Sequence, residues 1–467
     1  MDNKAILVKD ILNICNAELV IGNKDEICDN FSKDTRTINP GDVYIGIKGE
    51  KFDGNIFYLD AISKGAKVCI LQEINIDLEK VKEYNNVTII KVKDTIKALQ
   101  EIAKYKRSLY NIPVVAITGS VGKTSTKDII ARVLEEKFNV LKTEGNLNNH
   151  IGLPLTILKL KNHEALVVEM GMNNLGEISV LTNIAKPNVA VITNVGTSHI
   201  GNLGSRDNIL KAKLEILEGL SKDGVLIINK DNDLLKKWYE KNINTIGFKV
   251  KTYGIKEKSD FTGYSIKKKE NGSTYKIDID NNTYEVEIKV GGEHFVMNSL
   301  CAISVANVFQ IPIDMIIDGI LNFELTKNRM EIKKKNNITL INDSYNANYD
   351  SMKAALDFLG TYKNNRKIAI LGDMLELGKF SEELHQKVGT EVSKNKIDIL
   401  ITVGNCAKNI SYSAKKCGME EKNIFDCKDN IEAINKIKSI MKENDIILVK
   451  ASNGMKFKEI IDSILKY

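Results

Sequence analysis

The amino-acid sequence predicts an α/β protein that is built from three domains. The chain has 467 residues, and a typical size of about 150 residues per domain favours three domains. From residue 114 onwards, short apolar segments alternate with amphipathic segments of helical period, as in parallel sheets that are covered by helices. Hydrophobic residues make up 43% of the chain, which is enough for a packed core in each domain.

The first domain is predicted over residues 1–108. Its start, "MDNKAILVKDILNIC", carries charges between its apolar positions, which predicts an amphipathic helix and not a signal peptide. Short strand-like segments follow in "DVYIGIKGEKFDGNIF" and "NVTIIKVKD". The helical segment "TIKALQEIAKYKRSLY" then leads to Pro113, where the domain ends.

The second domain is predicted over residues 109–318. Its apolar segments are bounded by Gly, Asn or Thr and predict buried parallel strands: "VVAIT", "ALVVEMG", "VAVITNVG" and "GVLIINKDN". Farther along, "YSIKKKENGSTYKIDIDNNTYEVEIKV" alternates polar and apolar residues and contains Asn-Gly and Asn-Asn pairs. This pattern predicts a small antiparallel addition to the sheet.

The third domain is predicted over residues 319–467, where the alternation starts again. Its strand-like segments are "NITLINDSY", "RKIAILGD", "IDILITVG" and "DIILVKAS". They predict a second, Rossmann-like α/β unit. Hinges between the domains are expected near residues 108–113 and 319–328.

Composition excludes several classes of protein. The 67 basic and 61 acidic residues are interspersed and give a net charge of +6; because no dense basic stripe occurs, nucleic-acid binding is not predicted. The seven cysteines form no C-x-x-C pair, which favours reduced thiols in a cytoplasmic protein over disulfides or a zinc site. No apolar segment approaches the roughly 18–20 residues of a transmembrane helix.

A candidate phosphate-binding loop lies in "VVAITGSVGKTSTKDII". Gly122, Lys123 and Thr124 match the end of the Walker A pattern G-x-x-x-x-G-K-[ST]. Ile117 stands where the first glycine belongs, and the nearest earlier glycine is Gly119. Because the segment joins a predicted strand to a predicted helix, we predict a phosphate-binding loop. The alternative is an ordinary tight turn followed by a helix cap.

The backbone of this loop and the helix N-terminus would direct amide N–H groups at phosphate oxygens. Lys123 is the candidate contact to the β- and γ-phosphates, and the Thr124 hydroxyl is a candidate ligand of Mg²⁺. The predicted nucleotide contacts in the loop are Gly119, Ser120, Val121, Gly122, Lys123, Thr124 and Ser125.

Two polar residues follow predicted strands at the same edge of the sheet. Glu169 ends "ALVVE", and His199 follows "VAVITNVGTS". Ligands of open α/β sheets bind outside the carboxyl ends of the strands, so Glu169, His199 and Thr124 are expected to meet there and bind a divalent cation. The alternatives are a solvated carboxylate at a strand end and a loop histidine bonded to backbone.

Five motifs occur in order along the chain: "TGSVGKTSTKD", "TEGNLNNHIGLPLTIL", "VVEMGMNNLGEI", "ITNVGTSHIGNLGS" and "KAKLEI". Together they resemble the Mur ligase family, the ATP-dependent, amide-forming enzymes of peptidoglycan synthesis. That family uses a shortened loop of the form T-G-x-x-G-K-T-[ST], which agrees with the missing first glycine. The resemblance covers essentially the whole chain.

Other segments indicate a branch of that family. "INDSYNANYDSMKAAL" and "LGDMLELG" resemble the members that add the terminal dipeptide, and "DTRTINPGDVYIGIKGEKFDGN" resembles a UDP-sugar-binding domain. The resemblance therefore implies that residues 1–108 bind a UDP-muramoyl-peptide. Residues 109–318 would bind ATP, and residues 319–467 would bind the incoming dipeptide and close on ATP.

The implied reaction joins D-alanyl-D-alanine to UDP-N-acetylmuramoyl-tripeptide through an acyl phosphate at the expense of ATP. A cytoplasmic, monomeric enzyme is expected, and the tripeptide carries either lysine or meso-diaminopimelate as its third residue. Two alternatives stay open. One is a family member that adds a single amino acid to the same kind of precursor, and the other is a non-catalytic P-loop nucleotide switch.

The resemblance also implies two Mg²⁺ ions beside ATP. Thr124 would bind the first ion, and Glu169 and His199 would bind the second. Lys213 in "KAKLEI" would be a metal ligand as a carbamate formed with CO₂, since Mg²⁺ prefers oxygen donors. A solvated helix lysine is the alternative for Lys213, and Lys211 is a nearby competitor.

Further site residues are implied by the same resemblance. Asn298 is the candidate contact to adenine and Asp343 to ribose, and Arg329 would reach the γ-phosphate unless it forms a surface salt bridge. The candidate catalytic residues are Lys123, His199, Lys213 and Arg329. The candidate substrate contacts are Asp34, Thr35, Arg36, Asn148, Asn149, Asn346 and Asn348. Turn formation is the alternative for Asn346 and Asn348.

Three positions depart from the family pattern. Asn55 stands in place of a histidine, Phe295 in place of an asparagine and Asn453 in place of an arginine. Of the other histidines, His385 in "EELHQKV" is expected on a helix surface, and His150 in "NNHIGLP" is a candidate to line the site.

Overall fold

The computed structural model describes residues 4–49, 52–72, 75–269, 272–325 and 329–466. It confirms the predicted α/β class, with one main sheet in each of the three predicted domains. Residues 1–3, Asn271 of the predicted Asn-Gly pair and residues 326–328 of the second predicted hinge lie outside the described residues. None of the described helices is long and apolar enough to cross a membrane, and the seven cysteines are unpaired.

The N-terminal domain is a small sheet with short helices. Its elements are β1 (Ile6–Leu7), α1 (Val8–Cys15), β2 (Glu18–Ile21), β3 (Ile27–Cys28), β4 (Phe31–Ser32), β5 (Val43–Ile45), α2 (Tyr58–Ser63), β6 (Val68–Gln72), α3 (Leu78–Lys82), β7 (Thr88–Val92) and α4 (Thr95–Ser108), with 3₁₀ turns at Thr35–Thr37 and Gly54–Phe57. The main sheet has the order β2-β7-β6-β5-β4, in which only β2 is antiparallel to its neighbour. The strands β1 and β3 form a separate antiparallel pair.

The central domain carries the largest sheet. Its elements are β8 (Val114–Thr118), α5 (Lys123–Leu134), β9 (Val140–Lys142), α6 (Gly152–Leu158), β10 (Ala165–Glu169), α7 (Glu177–Ala185), β11 (Val189–Ile192), α8 (Ile200–Leu203), α9 (Arg206–Leu214), β12 (Val225–Asn229), α10 (Asp233–Asn242), β13 (Lys249–Gly254), β14 (Phe261–Lys269), β15 (Gly272–Ile279), β16 (Asn282–Ile288), α11 (Glu293–Val308) and α12 (Ile313–Leu321), with a 3₁₀ turn at Glu215–Gly219. The order is β16-β15-β14-β13-β12-β11-β8-β10-β9. The last three strands in sequence form the predicted antiparallel addition.

Strand β8 lies inside this sheet between β11 and β10 and is parallel to both. All five of its residues are buried. Strands of parallel sheets are covered on both faces and are therefore apolar along their whole length. This explains why the four apolar segments that were predicted as strands coincide with β8, β10, β11 and β12.

The C-terminal domain repeats the parallel architecture. Its elements are β17 (Glu331–Lys335), β18 (Ile338–Asn342), α13 (Tyr349–Leu359), β19 (Lys367–Gly372), α14 (Ser381–Lys394), β20 (Ile399–Val403), α15 (Lys408–Lys416), β21 (Ile424–Cys427), α16 (Asn430–Ile440), β22 (Ile446–Lys450) and α17 (Lys458–Lys466), with 3₁₀ turns at Gly378–Phe380, Glu421–Asn423 and Asn453–Met455. The order is β17-β18-β22-β19-β20-β21. Only β17 pairs antiparallel.

Helix α4 joins the N-terminal domain to the central one. It packs against α6 and α7, and its residues Leu99 and Ile102 are fully buried. Arg107 Nε donates a hydrogen bond to the carbonyl of Ala185, at the end of α7, over 2.8 Å. The chain therefore reaches the first predicted hinge, at residues 108–113, from a helix that is fixed to the central domain.

Helix α12 extends past the predicted domain limit at residue 318 and ends at Leu321. Ile316 and Ile320 are buried, and the helix packs against α5 and β16. This apolar face keeps α12 with the central domain along its whole length.

His385 lies inside the C-terminal domain, so the predicted surface position is wrong. Helix α14 packs against α13 and α15, and the histidine side chain is fully buried. Its Nε2 accepts a hydrogen bond from the Met374 N–H at 3.0 Å, and its Nδ1 donates to the Ser381 carbonyl at 2.7 Å. The helical period predicts polar residues on the exposed face of a helix. It cannot show that a histidine is buried because it bonds to a neighbouring loop.

Candidate active site

A cavity of about 580 Å³ lies between the central and C-terminal domains. Residues that follow β8, β10 and β11 form one side, and residues that follow β18 and β22 form the other. The carboxyl ends of parallel strands meet at one edge of each sheet, so polar side chains of both domains converge here. The predicted site residues in its lining are Ser120, Val121, Gly122, Lys123, Thr124, Ser125, Asn148, Asn149, Glu169, His199, Asn298, Arg329, Asp343, Asn346 and Asn348.

The loop between β8 and α5 has the geometry of an anion-binding turn. Gly122 caps α5 with a φ of +81°, a left-handed conformation that favours glycine. The Asn194 side chain, from the segment after β11, accepts hydrogen bonds from the amides of Ser120 and Val121 at 3.1 and 2.9 Å. The first amides of α5 have no acceptor within their own helix and are therefore suited to hold a phosphate.

Two cations face each other across the cavity. Lys123 Nζ donates to the Gly119 carbonyl at 2.8 Å, and the Arg329 guanidinium lies 3.9 Å from the ring centre of Tyr345. Burial lowers the pKa of Lys123; the charge of Glu169 raises it and that of Arg329 lowers it. Both cations line the cavity, where the terminal phosphates are predicted to bind.

Glu169 is buried beside the phosphate loop, with 2% of its surface exposed. Its Oε2 accepts a hydrogen bond from Thr124 Oγ1 at 2.7 Å, and its Oε1 accepts one from Asn148 Nδ2 at 2.7 Å. The alternative of a solvated carboxylate is therefore wrong. Carboxylate, hydroxyl and amide converge at the carboxyl ends of β8 and β10, as expected of oxygen ligands for a hard cation.

His199 begins helix α8 in a left-handed conformation, with a φ of +62°. Its buried Nδ1 has no hydrogen-bond partner among the described residues, although it lies 3.0 Å from Glu376 Oε2. We infer that the contact lacks the angle of a hydrogen bond. Burial, together with the charges of Lys123 and Lys213, lowers the pKa of His199 to about 4. The imidazole is therefore neutral at pH 7 and retains a lone pair for a cation.

Lys213 projects from α9 and is 1% exposed. No carboxylate of the described residues forms an ion pair with it. Burial and the charge of Lys123 lower the pKa of Lys213 well below its ordinary value. The alternative of a solvated lysine is wrong, and it applies instead to the exposed Lys211.

These residues fit a magnesium ion. The neutral imidazole of His199 and the carboxylate of Glu169 line the same cavity as Thr124, whose hydroxyl bonds to Glu169. The described residues contain no cluster of three or more His, Cys, Asp or Glu side chains that would hold a metal ion. A further oxygen ligand would therefore have to come from a nucleotide, from water or from a modified Lys213.

Asp343 and Lys450 form a buried pair on the C-terminal side of the cavity. Lys450 Nζ lies 2.6 Å from Asp343 Oδ2 and also donates to the Asn346 carbonyl at 2.9 Å. The lysine is 1% exposed. The sequence interpretation missed Lys450, although it ends "DIILVK" as Glu169 ends "ALVVE". The same strand-end argument would have identified it.

Asn298 lies on α11 next to the phosphate loop. Its Oδ1 is 3.5 Å from the position that a Cβ on Gly122 would occupy, in agreement with a predicted place beside the nucleotide. Phe295 is buried on the same helix, with its ring centre 4.4 Å from that of His294 and 6.4 Å from that of Phe323. Phe295, which replaces the asparagine of the family pattern, thus packs with aromatic residues.

The two asparagines after β18 make local hydrogen bonds. Asn346 Oδ1 accepts from the Ala347 N–H at 2.9 Å. Asn348 caps α13, where its Oδ1 accepts from the Ser351 N–H at 2.9 Å, and its Nδ2 donates to Ser198 Oγ at 2.5 Å. The amide of Asn348 is thus engaged at both ends in this structure. The dipeptide contacts stay predictions.

The predicted contacts of the N-terminal domain lie away from the cavity lining. Arg36 binds the Asp34 carboxylate with its Nε and Nη2 at 2.9 and 2.6 Å, and Arg36 lowers the pKa of Asp34 to about 2. Asn55 is fully buried, and its Oδ1 accepts from the Gln72 N–H at 2.8 Å. Among the central residues, Asn149 Oδ1 accepts from the Gly152 N–H at 2.8 Å. Asn149 lines the cavity, whereas Asp34, Thr35, Arg36 and His150 do not.

Three segments of the chain match family descriptions. Residues 30–107 match "Mur ligase family, catalytic domain", residues 117–306 match "Mur ligase middle domain", and residues 328–453 match "Mur ligase, glutamate ligase domain". With three main sheets, a candidate phosphate loop and a cavity between the second and third domains, the molecule is of the multidomain, nucleotide-binding α/β class. The chain belongs to the Mur ligase family.

Curated relatives cover nearly the whole chain. The UDP-N-acetylmuramoyl-tripeptide–D-alanyl-D-alanine ligase of Bacillus subtilis (strain 168) is 36% identical over 93% of this chain and 92% of its own length. The ligase of the same name from Escherichia coli (strain K12) is 32% identical over 98% of both proteins. The predicted family is thereby confirmed.

Solved structures agree with this assignment. A crystal structure of MurF from Acinetobacter baumannii has a TM-score of 0.88 at 27% identity and covers 99% of both chains. The structure of MurF ligase from Thermotoga maritima in complex with ADP has a TM-score of 0.81 at 26% identity and covers 94% of this chain and 97% of that chain.

Proposed function

We propose that this chain is an ATP-dependent ligase that joins D-alanyl-D-alanine to UDP-N-acetylmuramoyl-tripeptide. Four relatives that carry this name are 32–36% identical over more than nine tenths of the chain. The observation that carries the proposal is the cavity in which the phosphate loop of the central domain faces Arg329 and the "SYNAN" segment of the C-terminal domain.

The proposed chemistry activates a carboxylate. Oxide is a poor leaving group, so the γ-phosphoryl group of ATP is transferred to the tripeptide carboxylate, and ADP leaves. The amine of D-alanyl-D-alanine then attacks the carbonyl carbon of the acyl phosphate, loses a proton and expels phosphate. One amide bond forms for each ATP converted to ADP and phosphate.

Charge repulsion between ATP and the carboxylate is the main barrier to the first step. Lys123 and Arg329 would offset it from opposite sides of the cavity, since both line the cavity and their charges interact. Thr124 would hold one Mg²⁺ ion, and Glu169 and His199 would hold a second; the bound ions would supply positive charge that neutralises the phosphates and polarises the transferred group. The phosphate loop holds the nucleotide while Asn298 and Asp343 would orient its base and ribose.

A carbamate on Lys213 is part of the proposal. A neutral amine attacks the carbon of CO₂, a C–N bond forms, and loss of the N–H proton leaves an anionic carbamate. The lowered pKa and the burial of Lys213 favour the neutral amine that this step requires. The product would present oxygen to Mg²⁺ in place of an unpaired ammonium.

The same proposal includes the roles of the three domains, a cytoplasmic location and a monomeric state. The N-terminal domain would hold the UDP end of the precursor, with Asp34, Thr35 and Arg36 as its predicted contacts. Docking of the C-terminal domain would bring the dipeptide to the acyl phosphate and exclude water.

Product analysis tests the proposal. We would incubate the protein with ATP, Mg²⁺ and UDP-N-acetylmuramoyl-tripeptide, carrying lysine or meso-diaminopimelate, and with D-alanyl-D-alanine or a single amino acid. The expected result is a product whose mass equals the precursor plus the dipeptide minus water, with one phosphate released per product. A product with a single amino acid would support the other family activity, and ATP turnover without any acceptor would support a nucleotide switch.

A further inference from the structure

Residues 196–201, which we call the bridging segment, lie after β11 and include the first two residues of α8. They touch two other parts of the molecule. On one side they contact the phosphate loop. The Gly196 N–H donates to Ser120 Oγ at 2.9 Å, and Ser198 Oγ donates to the Ser120 carbonyl at 3.0 Å. The position of Ser120 in the loop is thus tied to the conformation of the bridging segment.

On the other side the bridging segment contacts the C-terminal domain. Asp350, on α13, accepts hydrogen bonds from both the N–H and the hydroxyl of Thr197, at 2.8 and 2.9 Å. Asn348 reaches Ser198, and Glu376 lies beside His199. Three side chains of one domain therefore meet three consecutive residues of the other.

Two glycines of the bridging segment allow this close approach. A Cβ on Gly196 would lie 2.2 Å from Asp350 Oδ2, and a Cβ on Gly201 would lie 2.5 Å from the Glu376 carbonyl oxygen. Real side chains do not tolerate such distances, and at Gly201 the neighbour is backbone, which has little freedom to move. The two domains therefore pack so closely here that neither glycine could be replaced without a shift of the neighbouring atoms.

The C-terminal side of this contact is held firmly in place. The loop that carries Glu376 is anchored by the hydrogen bond from the Met374 N–H to His385 and by one from the Leu375 N–H to Ser452 Oγ at 2.9 Å. Glu376 itself has a φ of +65°. Left-handed backbone at residues other than glycine is unfavourable and persists where surrounding contacts determine it.

We infer that Asp350 and Glu376 are positioning residues, which set the bridging segment, and through it His199 and Ser120, when the C-terminal domain docks. The inference rests on the proposed function, because His199 and the phosphate loop are its predicted metal and nucleotide contacts. His199 also has a left-handed backbone, so it requires support from outside its own segment. Docking of one domain would thereby complete the site on the other.

The test compares Asp350→Ala and Glu376→Ala with two matched controls. Asp357→Ala removes a carboxylate from the exposed side of the same helix, where it pairs with Lys353. Glu383→Ala removes an exposed glutamate that pairs with Lys387 within α14. Each variant is measured by hydrogen exchange of peptides that cover the bridging segment and by steady-state kinetics.

In Asp350→Ala we expect amide exchange in residues 196–201 to become about tenfold faster, since Thr197 loses a charged acceptor. We expect kcat to fall about 10- to 100-fold in both test variants through misplacement of reacting groups, with the KM for ATP changed less than about threefold. Asp350→Asn, which keeps an oxygen acceptor, should restore most of the protection and most of kcat.

Exchange and kcat like those of the controls in both test variants would overturn the inference. Glu376 is largely exposed, so its variant is expected to fold even where Asp350→Ala does not. If the wild-type protein makes no product, the proposed function fails. Faster exchange in Asp350→Ala together with unchanged exchange in the controls would still support the docking contact.

Discussion

Lys213 has an environment unlike that of an ordinary surface lysine. It is buried, carries no ion pair among the described residues and lies near another cation, Lys123. Carbamate formation would convert it into an anion, which the neighbouring cation stabilises. We propose that the modified form, in place of the free amine, occupies this buried position.

Lys213→Ala should lower the rate of product formation at least about 100-fold, because a metal ligand supplies several kcal/mol of transition-state stabilisation. Short carboxylic acids such as acetate or formate should restore part of the activity by replacing the lost oxygen ligand. The exposed Lys211 provides the control, and Lys211→Ala should retain wild-type activity. Full activity in Lys213→Ala would exclude the carbamate.

His385 should make the stability of the protein sensitive to acid. Burial lowers its pKa below the ordinary value of 6.5, and its Nε2 must stay unprotonated to accept from Met374. As the pH falls through about 6.5, the unfolded chain binds this proton and the folded chain does not, so stability is lost with decreasing pH. Above that pH the contribution is fully present.

His385→Gln should therefore reduce the difference between the thermal unfolding midpoints at pH 7.5 and pH 5.5. One such group contributes up to about 1.4 kcal/mol per pH unit. His150→Gln replaces an exposed histidine and should leave the difference as in the wild type. An unchanged pH dependence in His385→Gln would contradict the argument.

The strand-end argument identified some of the site residues from sequence and missed others. Glu169 and Asp343 follow apolar segments directly and line the cavity as predicted, and Lys450 was available to the same argument. The argument could not identify Asp350 and Glu376, because their inferred role depends on contacts with the central domain. A local sequence pattern does not show which surface of another domain a helix or loop will contact.

At the scale of elements, the N-terminus of α13 combines two tasks in one side chain. The side-chain oxygen Oδ1 of Asn348 caps the helix, and its side-chain nitrogen Nδ2 donates a hydrogen bond to Ser198 of the central domain. Helix caps stabilise proteins by about 0.5–2 kcal/mol, and the bond to Ser198 acts on the domain contact. The two effects are separable because one needs an acceptor and the other a donor.

Asn348→Ala should lower both the unfolding midpoint and kcat, whereas Asn348→Asp should restore the midpoint only. The aspartate keeps the cap, with a stability effect of about 0.5–2 kcal/mol, but cannot donate to Ser198. Thermal unfolding and steady-state kinetics of the two variants distinguish the tasks. Wild-type kcat in Asn348→Asp would show that the contact with Ser198 is dispensable.

The strands that the sequence predicted are those buried on both faces, such as β8, β10, β11, β19 and β22. The missed strands include β13, with the sequence "KVKTYG", and β21, with "IFDC". The β13 segment contains few apolar residues, and β21 is only four residues long and lies at the edge of its sheet. A strand with one exposed face or edge lacks the continuous apolar pattern on which such predictions depend.

At the scale of the whole molecule, the two domain junctions are of different kinds. The N-terminal domain is attached through α4, whose apolar side chains are buried against α6 and α7. The C-terminal domain meets the bridging segment mainly through hydrogen bonds. Polar interfaces between domains separate more readily than apolar ones, so we expect domain motion at the second junction.

Gly201→Ala tests this expectation, because the added methyl group would overlap the backbone of Glu376 and Gly378. The C-terminal domain would have to withdraw, so small-angle scattering should give a larger radius of gyration than for the wild type, and kcat should fall about tenfold or more. Gly247→Ala is the matched control, since no atom of the described residues lies within 4 Å of the added Cβ there. If the radius and kcat of Gly201→Ala equal those of Gly247→Ala, the bridging segment does not determine how closely the two domains approach.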